Sequence, residues 1–411
     1  MRDRPTIGIV GGGIGGLTTA VALQRQGHRV SVFEQAPRLE EVGAGLQISP
    51  NGMRVFAEIG LAARVLAVAF EPEGKEIRLW NTGDTWKLFD LGVVSRERYG
   101  HPYVTVHRND LHQILVETVE EHERGTIRLG HRFSAVERND AGGVTIAFEG
   151  HPSASFDVVI GADGVHSKMR ELLFGSGPAE FTGIVAWRGV IPMENLAPEL
   201  RKPVGVNWVG PGGHVIHYPI RRGELMNFTS VVERRDWQVE SWSTPGTNQE
   251  FHDDYPGWHE DVHAYIAAIP QPFKWALIAR PPMENWVKGR IALLGDACHP
   301  SLPFLAQGAV MALEDALVLA RALAECATIE EALGAYEAVR APRTTRAVEG
   351  ANANARRFHN PSLADPASAQ AYVDEQWAPD RVVDRYEWLF RYDATRVHLK
   401  GEQSLARSSG T

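Results

Sequence analysis

Residues 6–16 read TIGIVGGGIGG, and this short stretch decides the fold. Its apolar part, Thr6–Val10, predicts a buried strand, and the glycines after it open a helix over about residues 15–26. Residues 28–33 alternate between polar and apolar side chains and predict a second strand. A strand, a helix and a strand within about 30 residues predict a βαβ unit with parallel pairing.

The glycines form the pattern Gly11-x-Gly13-x-x-Gly16. Gly11 allows the tight turn, Gly13 lets the backbone approach a pyrophosphate, and Gly16 lets the helix pack closely. The helix N-terminus then presents free N–H groups and a positive dipole to the phosphates. Glu34 follows the second strand, where a carboxylate binds a ribose hydroxyl, so FAD or NAD fits better than NADP. A glycine-rich turn without a ligand is the alternative.

The composition fits a large globular protein with small-molecule partners. The chain has 411 residues, and 42 Lys+Arg against 51 Asp+Glu give a net charge of −9. A nucleic-acid partner is not expected, because such binders carry a basic face. Cys298 and Cys326 are the only cysteines, which excludes a disulfide framework and fits a reducing, cytoplasmic compartment. We expect no signal peptide and no membrane span, because the apolar runs are short or interrupted by charges.

The rest of the chain predicts an interleaved arrangement of two domains. Residues 181–280 are rich in tryptophan and in alternating strands and predict an antiparallel sheet with an aromatic face. Residues 156–160 and 291–294 are apolar and predict buried strands of the parallel type. The further expected elements are helices over about residues 51–68, 109–123, 307–326 and 330–358, with Asn109 or Asp110 as the cap of the second, and a hairpin over 126–147.

The fold class is therefore α/β, with a Rossmann-like nucleotide-binding domain interleaved with a mostly antiparallel β-sheet substrate domain. The predicted boundaries are residues 1–70, 101–180 and 282–345 for the first domain, 71–100 and 181–281 for the second, and 346–411 for a helical C-terminal region and tail. We expect residues 404–411 to be disordered.

Two further motifs follow predicted buried strands. GADG occupies residues 161–164, and GDACHP occupies residues 295–300. Because ligands bind at the carboxyl ends of parallel strands, Asp163 and Asp296 are candidate ligand-binding residues. Each motif alone also suits an ordinary turn.

The start of the helix near residue 307 is a third candidate. Gly308 and Ala309 are small residues at this N-terminus, where free N–H groups stabilise a ring that gains negative charge. Cys298 is expected to be a packed apolar side chain rather than a nucleophile. His299 has no partner set at metal-ligand spacing, so no metal site is predicted.

Together these motifs resemble those of the single-component FAD-dependent aromatic-ring hydroxylases, the group A flavoprotein monooxygenases. That family includes salicylate, hydroxybenzoate and hydroxynicotinate hydroxylases, and the resemblance covers residues 5 to about 345. Further matching segments are EVGAGLQ (41–47), HRNDL (107–111), WRG (187–189), GPGGH (210–214) before Tyr218, and ENWV (284–287). Of these, WRG, ENWV and the GPGGH segment are most similar to the branch that contains 3-hydroxybenzoate 6-hydroxylase and 6-hydroxynicotinate 3-monooxygenase.

The resemblance implies a tightly bound, non-covalent FAD, with NADH or NADPH as a transient reductant. In the family the glycine motif holds the pyrophosphate, Glu34 the ribose, and Asp296 the ribityl or pyrophosphate part. Asp163 assists both FAD and the pyridine nucleotide. The implied cofactor-binding set is Gly11, Gly13, Gly15, Gly16, Glu34, Gln35, Gln47, Arg108, Asp163, Asp296, Gly308 and Ala309.

The resemblance also implies hydroxylation of a phenolic ring, of the hydroxybenzoate or salicylate type, through a flavin C4a-hydroperoxide. His214 and Tyr218 are the implied catalytic pair, and four residues apart on a strand they share one face. His214 suits a base or proton relay that activates the phenol. Gln47, Arg188 and Pro303 are the implied substrate-binding residues, with Arg188 as a partner for a substrate carboxylate. His217 is expected on the opposite face.

Two departures leave the substrate open. Pro303 stands where the 3-hydroxybenzoate enzyme has glutamine, and Gln47 stands where the hydroxynicotinate enzyme has histidine. One alternative is hydroxylation of an N-heteroaromatic such as 6-hydroxynicotinate. Others are a dehydrogenation, halogenation or epoxidation on the same fold, and a nucleotide-binding regulatory protein without turnover. The ring position, the choice of NADH or NADPH, and the state as monomer or homodimer stay open.

Overall fold

The structure is a computed structural model that describes residues 4–39, 44–175, 177, 179–234, 236 and 244–399. Its strands are β1 (Thr6–Val10), β2 (Arg29–Phe33), β3 (Gly45–Ile48), β4 (Gly74–Leu79), β5 (Thr85–Asp90), β6 (Val104–His107), β7 (Ile127–Arg128), β8 (Phe133–Asp140), β9 (Gly143–Phe148), β10 (His151–Phe156), β11 (Val158–Gly161), β12 (Glu180–Pro192), β13 (Gly205–Gly210), β14 (Gly213–Ile220), β15 (Leu225–Glu233), β16 (Thr244–Pro245), β17 (Phe273–Ala279), β18 (Val287–Lys288) and β19 (Ile291–Leu293). Its α-helices are α1 (Ile14–Arg25), α2 (Pro50–Glu58), α3 (Ala62–Val68), α4 (Gly92–Tyr99), α5 (Arg108–His122), α6 (Lys168–Phe174), α7 (Asn248–Asp253), α8 (Glu260–Ala268), α9 (Gly308–Glu325), α10 (Ile329–Phe358), α11 (Pro366–Gln376) and α12 (Pro379–Phe390).

A six-stranded sheet forms the nucleotide-binding part, in the order β18-β19-β11-β1-β2-β7. β1 pairs in parallel with β2 and β11, and β11 pairs in parallel with β19. The predicted βαβ unit is therefore confirmed, with α1 as its crossover helix. Glu34, Asp163 and Asp296 all follow carboxyl ends of these parallel strands, so they lie along one edge of the sheet.

An eight-stranded sheet forms the second part, in the order β16-β17-β12-β15-β14-β13-β4-β5. Its pairings are antiparallel except for β13 with β4. One face packs against α7 and α8 around aromatic side chains that include Trp187, Trp208 and Phe251. The opposite face carries His214, Ile216 and Tyr218. The exact domain boundaries stay a prediction.

The C-terminal region is helical, as predicted, and it packs on the body of the protein. The buried Trp377 ring stacks on Phe358 at a centroid distance of 6.2 Å. The Trp80 indole donates a hydrogen bond to the Leu363 carbonyl at 2.9 Å. The segment 404–411, for which we expect disorder, lies outside the described residues.

Two local predictions were wrong, and a third was right only in part. The helix expected over residues 51–68 is two helices, α2 and α3, because Gly60 takes a positive φ of 75° between them. The predicted hairpin is confirmed as β8–β9, which turns between Asp140 and Gly143 with β10 alongside, but the start of the predicted segment is β7, which joins the parallel sheet instead. α5 begins directly after His107, without a side-chain cap from Asn109 or Asp110. Among the described helices, none combines the length and the apolar character needed to cross a bilayer.

Candidate active site

Two glycines of the loop, Gly11 and Gly16, are in close contact with neighbouring backbone, and a third, Gly13, faces open space. A Cβ on Gly11, whose φ is +112°, would lie 2.2 Å from the Ala162 carbonyl oxygen. A Cβ on Gly16 would lie 2.1 Å from the Gly11 carbonyl oxygen. A Cβ on Gly13 would meet nothing within 4 Å. The open side of the loop is therefore at Gly13, where a pyrophosphate has room.

The residues flanking this loop have different surroundings. The Glu34 carboxylate accepts hydrogen bonds from the Gly12 and Ala36 amides, both at 2.8 Å, and it stays partly exposed over the loop. The exposed Gln35 accepts a hydrogen bond from Arg132 at 2.7 Å. Gly15 lies against Leu294, since a Cβ there would be 2.8 Å from the leucine Cδ2. Glu34 thus stays partly accessible beside the loop, whereas Gly15 and Gln35 have protein partners.

The GADG segment is tied into its own loop and to the next one. The two Asp163 carboxylate oxygens accept hydrogen bonds from the Ser167 hydroxyl at 2.5 Å and from the Met169 amide at 3.0 Å. Burial raises the pKa of the Asp163 carboxyl, and these hydrogen bonds oppose the rise. Arg170 donates to the Ala297 carbonyl at 3.0 Å, which links this loop to the GDACHP segment.

Asp296 follows the carboxyl end of β19. Its side chain is exposed to solvent, yet desolvation by the surrounding protein raises the pKa of its carboxyl. The charges of His299, Arg108 and Arg170 oppose the rise in the pKa of Asp296, so these three side chains lie near its carboxyl group.

A fully buried charge network supports this loop, and the sequence analysis missed it. Asp315 accepts hydrogen bonds from the Gly295 amide at 3.1 Å, the His299 ring at 2.6 Å and Arg340 at 2.6 Å. Arg340 also pairs with Glu314 at 2.8 Å. The sequence signal for this network was the pair Glu314 and Asp315, two adjacent acidic residues inside an otherwise apolar helix. His299 is therefore a partner of Asp315, and no group of three metal-ligating side chains occurs in the described ranges.

α9 packs against the turn Gly295–Ala297, which contains Asp296. Gln307 precedes it and is held by the Asn51 amide at 3.1 Å and the Ser49 hydroxyl at 3.0 Å. A Cβ on Gly308 would meet nothing within 4 Å, and no side chain caps the helix. With Gly13, Glu34 and Asp296, this arrangement offers open glycines and helix N–H groups to one elongated ligand. These residues therefore fit a dinucleotide such as FAD.

A cavity adjoins the turn that leads into α9. It lies between this turn, the inner face of the eight-stranded sheet and the C-terminal helices. Its wall consists of Gln47, Lys75, Glu76, Leu88, Gly205, Val206, Asn207, Ile216, Tyr218, Pro303, Phe304, Leu305, Ala306, Phe358 and Tyr386. Of the predicted substrate-site residues, Gln47, Tyr218 and Pro303 are brought together here, while Arg188 and His214 do not form part of this wall.

One end of the cavity is a polar cluster around Gln47. The Tyr103 hydroxyl donates a hydrogen bond to the Gln47 side-chain oxygen at 2.7 Å. Burial raises the pKa of both Tyr103 and Tyr218, and Gln47 opposes the rise at Tyr218. Both phenols therefore keep their protons at neutral pH and can donate hydrogen bonds. Gly45 is required beside them, since a Cβ there would lie 2.7 Å from the Tyr218 ring.

His214 is buried and belongs to a chain of polar groups. Its Nδ1 lies 2.8 Å from His359 Nε2, and His359 Nδ1 lies 3.2 Å from the carboxylate of Glu233, whose side chain is 58% exposed. The His214 ring packs against Phe304 and Phe358, each at 5.1 Å between ring centroids, and these two residues line the cavity. Burial, with a smaller contribution from His359, lowers the pKa of His214 well below 6.5, so its ring is neutral.

The opposite face of β14 carries His217, as expected. The Trp208 indole donates a hydrogen bond to His217 Nε2 at 3.2 Å. Burial lowers the pKa of His217 to about 3. This histidine therefore belongs to the aromatic core on the outer side of the sheet.

The remaining two predicted substrate residues are placed differently. The buried Arg188 guanidinium lies 5.5 Å from the Phe273 ring centroid and 5.6 Å from that of Trp275. Burial, and then the charge of Arg108, lower the pKa of Arg188 to about 10. Pro303 lines the cavity, and its carbonyl accepts a hydrogen bond from the Ala306 amide at 3.0 Å.

Comparison with known proteins identifies relatives along almost the whole chain. The FAD binding domain family matches residues 4–351. The 3-amino-4-hydroxybenzoate 2-monooxygenase PtnB3 of Streptomyces platensis is 36% identical over 396 residues, which are 96% of this chain and 98% of that protein. The 3-hydroxybenzoate 6-hydroxylase of Polaromonas naphthalenivorans (strain CJ2) is 33% identical over 403 residues, 96% of this chain and 98% of that protein. Klebsiella pneumoniae HpxO complexed with FAD and uric acid has a TM-score of 0.80 and 28% identity, covering 94% of this chain and 96% of that one.

Proposed function

The chain belongs to the FAD binding domain family of aromatic-ring monooxygenases, and we propose that it hydroxylates a phenolic acid of the hydroxybenzoate or salicylate type. In this reaction a ring C–H, O2, NADH or NADPH and a proton give a ring C–OH, oxidised nicotinamide and water. The chemistry that FAD supplies when bound is electron uptake from the nicotinamide and delivery of one oxygen atom to the ring.

The cofactor-binding roles follow from the open glycines and from the residues at the carboxyl ends of the parallel strands. The open side of Gly13 would take the pyrophosphate, with Glu34 at the adenosine ribose. Arg108 and Asp296 would contact the middle of the cofactor. The amides of Gly308 and Ala309, at the uncapped start of α9, would meet the isoalloxazine edge, where the helix dipole favours negative charge.

The single observation that carries the proposal is the cavity beside the start of α9. It has a polar end at Gln47 and Tyr218, and apolar walls that include Ile216, Phe304 and Leu305. An aromatic ring suits these walls, and its hydroxyl would face the polar end. Because Tyr218 keeps its proton, it would donate a hydrogen bond to the substrate oxygen and stabilise the phenolate. A phenolate ring is more electron-rich and reacts more readily with an electrophilic oxygen.

The proton of the substrate hydroxyl needs a path out of the cavity. His214 Nδ1 bonds His359, while His214 Nε2 makes no hydrogen bond within the part of the chain that the structure describes. We therefore assign His214, His359 and Glu233 as the route from the neighbourhood of the cavity to the surface. General base catalysis of this kind contributes about 100-fold or more to a rate.

Hydroxylation of an N-heteroaromatic ring is the second candidate. Two amide side chains, Gln47 and Asn207, line the cavity, and amides both donate to and accept from ring nitrogens. A relative of similar fold binds uric acid, which is such a ring. A cytoplasmic location, and a monomer or homodimer without nucleic-acid or membrane partners, complete the proposal.

The test is oxidation of NADH and NADPH by the FAD-loaded protein, with O2 uptake and hydrogen peroxide followed together. The panel contains salicylate, 3- and 4-hydroxybenzoate, 3-amino-4-hydroxybenzoate, gentisate, 4-aminobenzoate and 6-hydroxynicotinate. We expect one class of acid to stimulate oxidation with little peroxide. No stimulation by any phenolic acid or N-heteroaromatic acid would contradict the proposal.

A further inference from the structure

Lys75 is a charged residue in the cavity wall that the sequence motifs do not include. It lies on β4, and its ammonium nitrogen is 4.7 Å from the Tyr103 ring centroid and 6.0 Å from that of Phe89. No carboxylate lies within ion-pairing distance of this nitrogen in the described ranges of the chain. Lys87, on the neighbouring strand, is by contrast an exposed lysine that pairs with Asp90 at 2.5 Å.

An unpaired ammonium in such a place is costly. Lys75 is half-buried, and the charged form of a lysine loses part of its hydration in such surroundings. Burial lowers the pKa of Lys75 to about 7. The two aromatic rings compensate for part of this loss through their negative faces. A bound anion would compensate for much more of it, so the position favours a negatively charged ligand.

The space in front of Lys75 leads towards Tyr218. Gly205 is paired in register with Lys75 and lies on the strand between β4 and β14. A Cβ on Gly205 would lie 3.5 Å from Lys75 Cγ and 3.9 Å from Tyr218 Cβ. The missing side chain leaves an opening between these residues, whose strands are about 10 Å apart. A single aromatic ring with polar groups at both ends suits this span.

We propose that Lys75 binds the carboxylate of an aromatic acid substrate whose hydroxyl lies at the Gln47 and Tyr218 end of the cavity. The inference rests on the proposed function and deepens it, since it names the residue that selects acids. It replaces Arg188 in that role. Arg188 lies on a strand four steps from that of Lys75, about 19 Å between the backbones, and it does not line the cavity.

The experiment compares acids with their uncharged carboxamides on the FAD-loaded protein. The probes are 3-hydroxybenzoate with 3-hydroxybenzamide, and 3-amino-4-hydroxybenzoate with its carboxamide. The Kd of each is measured from the change in flavin absorbance. The variant is Lys75→Met, which keeps the apolar stem and removes the charge, and removal of an unpaired, half-buried charge is compatible with folding. Lys87→Met is the matched control, and Arg188→Met tests the rival position.

We expect Lys75→Met to weaken binding of the acids by about 10- to 100-fold and to leave the amides within about threefold. Lys87→Met should change neither the Kd of the acids nor that of the amides. Arg188→Met should not reduce the preference for acid over amide. Loss of that preference in Arg188→Met, or its survival in Lys75→Met, overturns the assignment of Lys75.

The hydroxylation assay separates this inference from the proposed function. If acids bind through Lys75 but no probe is hydroxylated, the proposed function is wrong and the Lys75 site stands. If acids are hydroxylated and Lys75→Met binds them as the parent protein does, the Lys75 assignment is wrong and the function stands. If neither acids nor amides bind, both are overturned.

Discussion

Substitution of Gly13 by alanine separates cofactor binding from folding. Gly13 precedes α1 with a φ of −77°, which alanine adopts freely, and its Cβ would meet no protein atom within 4 Å. The apoprotein should therefore lose less than about 1 kcal/mol of unfolding free energy, the scale of a changed N-cap. The new methyl group occupies the space assigned to the pyrophosphate.

The magnitude follows from the hydrogen bonds that the displaced pyrophosphate loses. One hydrogen bond to a charged group contributes about 1.5–3 kcal/mol, so the Kd for FAD should rise by about 10- to 100-fold. The Kd is measured by titrating FAD fluorescence with apoprotein, and the unfolding free energy is measured in urea.

The matched control is Gly16→Ala, in the same motif. Its Cβ would lie 2.1 Å from the Gly11 carbonyl oxygen, so it should lower the unfolding free energy of the apoprotein by about 1–3 kcal/mol or prevent folding. If Gly13→Ala bound FAD as tightly as the parent protein, the placement of the pyrophosphate would be refuted.

Three further predictions concern the cavity and the buried charges. Tyr218→Phe should lower kcat for the accepted acid while the Kd for FAD stays unchanged; an unchanged kcat would remove Tyr218 from the reaction. His359→Asn should lower kcat about 100-fold or more if the proton leaves through His214 and His359. Substitution of the partly exposed His263 is the control and should leave kcat unchanged. Equal kcat values for His359→Asn and the parent protein would contradict the route. Asp315→Asn should lower the unfolding free energy by about 3–5 kcal/mol, because Arg340 loses a buried partner. Because the pKa of Asp315 is lowered to about 2, its ionised carboxylate contributes to the unfolding free energy above about pH 4, and this contribution is lost as the pH falls towards 2. The unfolding free energy of Asp315→Asn should therefore fall less steeply between these pH values than that of the parent protein. An equal fall in both proteins would contradict the assigned role of Asp315.

The nucleotide-binding half could be predicted because its signals are local. Gly11, Gly13 and Gly16 have their positions fixed by one strand–turn–helix connection. Glu34 and Asp296 follow buried strands, and the rule that parallel strands end at one edge brings them together. The break at Gly60 was missed because the apolar pattern continues across it, while the backbone changes direction there.

The substrate half could be predicted only in outline. His214 and Tyr218 share a face through strand periodicity, but the depth of each side chain depends on Phe304 and Phe358, which come from distant elements. Lys75 enters the cavity because β4 joins the sheet beside β13, a parallel pairing over 130 residues of sequence. Periodicity alone contains no information about such a pairing.

The measurement that tests the central claim most directly is the fate of isotopically labelled O2. The FAD-loaded protein is given labelled O2, NADH or NADPH, and the acid that stimulates oxidation most strongly with least peroxide, and the product is analysed by mass spectrometry. A hydroxylase of this kind yields a product that carries one labelled oxygen atom on the ring for each nicotinamide oxidised. An unlabelled product, or an unchanged acid with all of the O2 recovered as peroxide, would contradict the account.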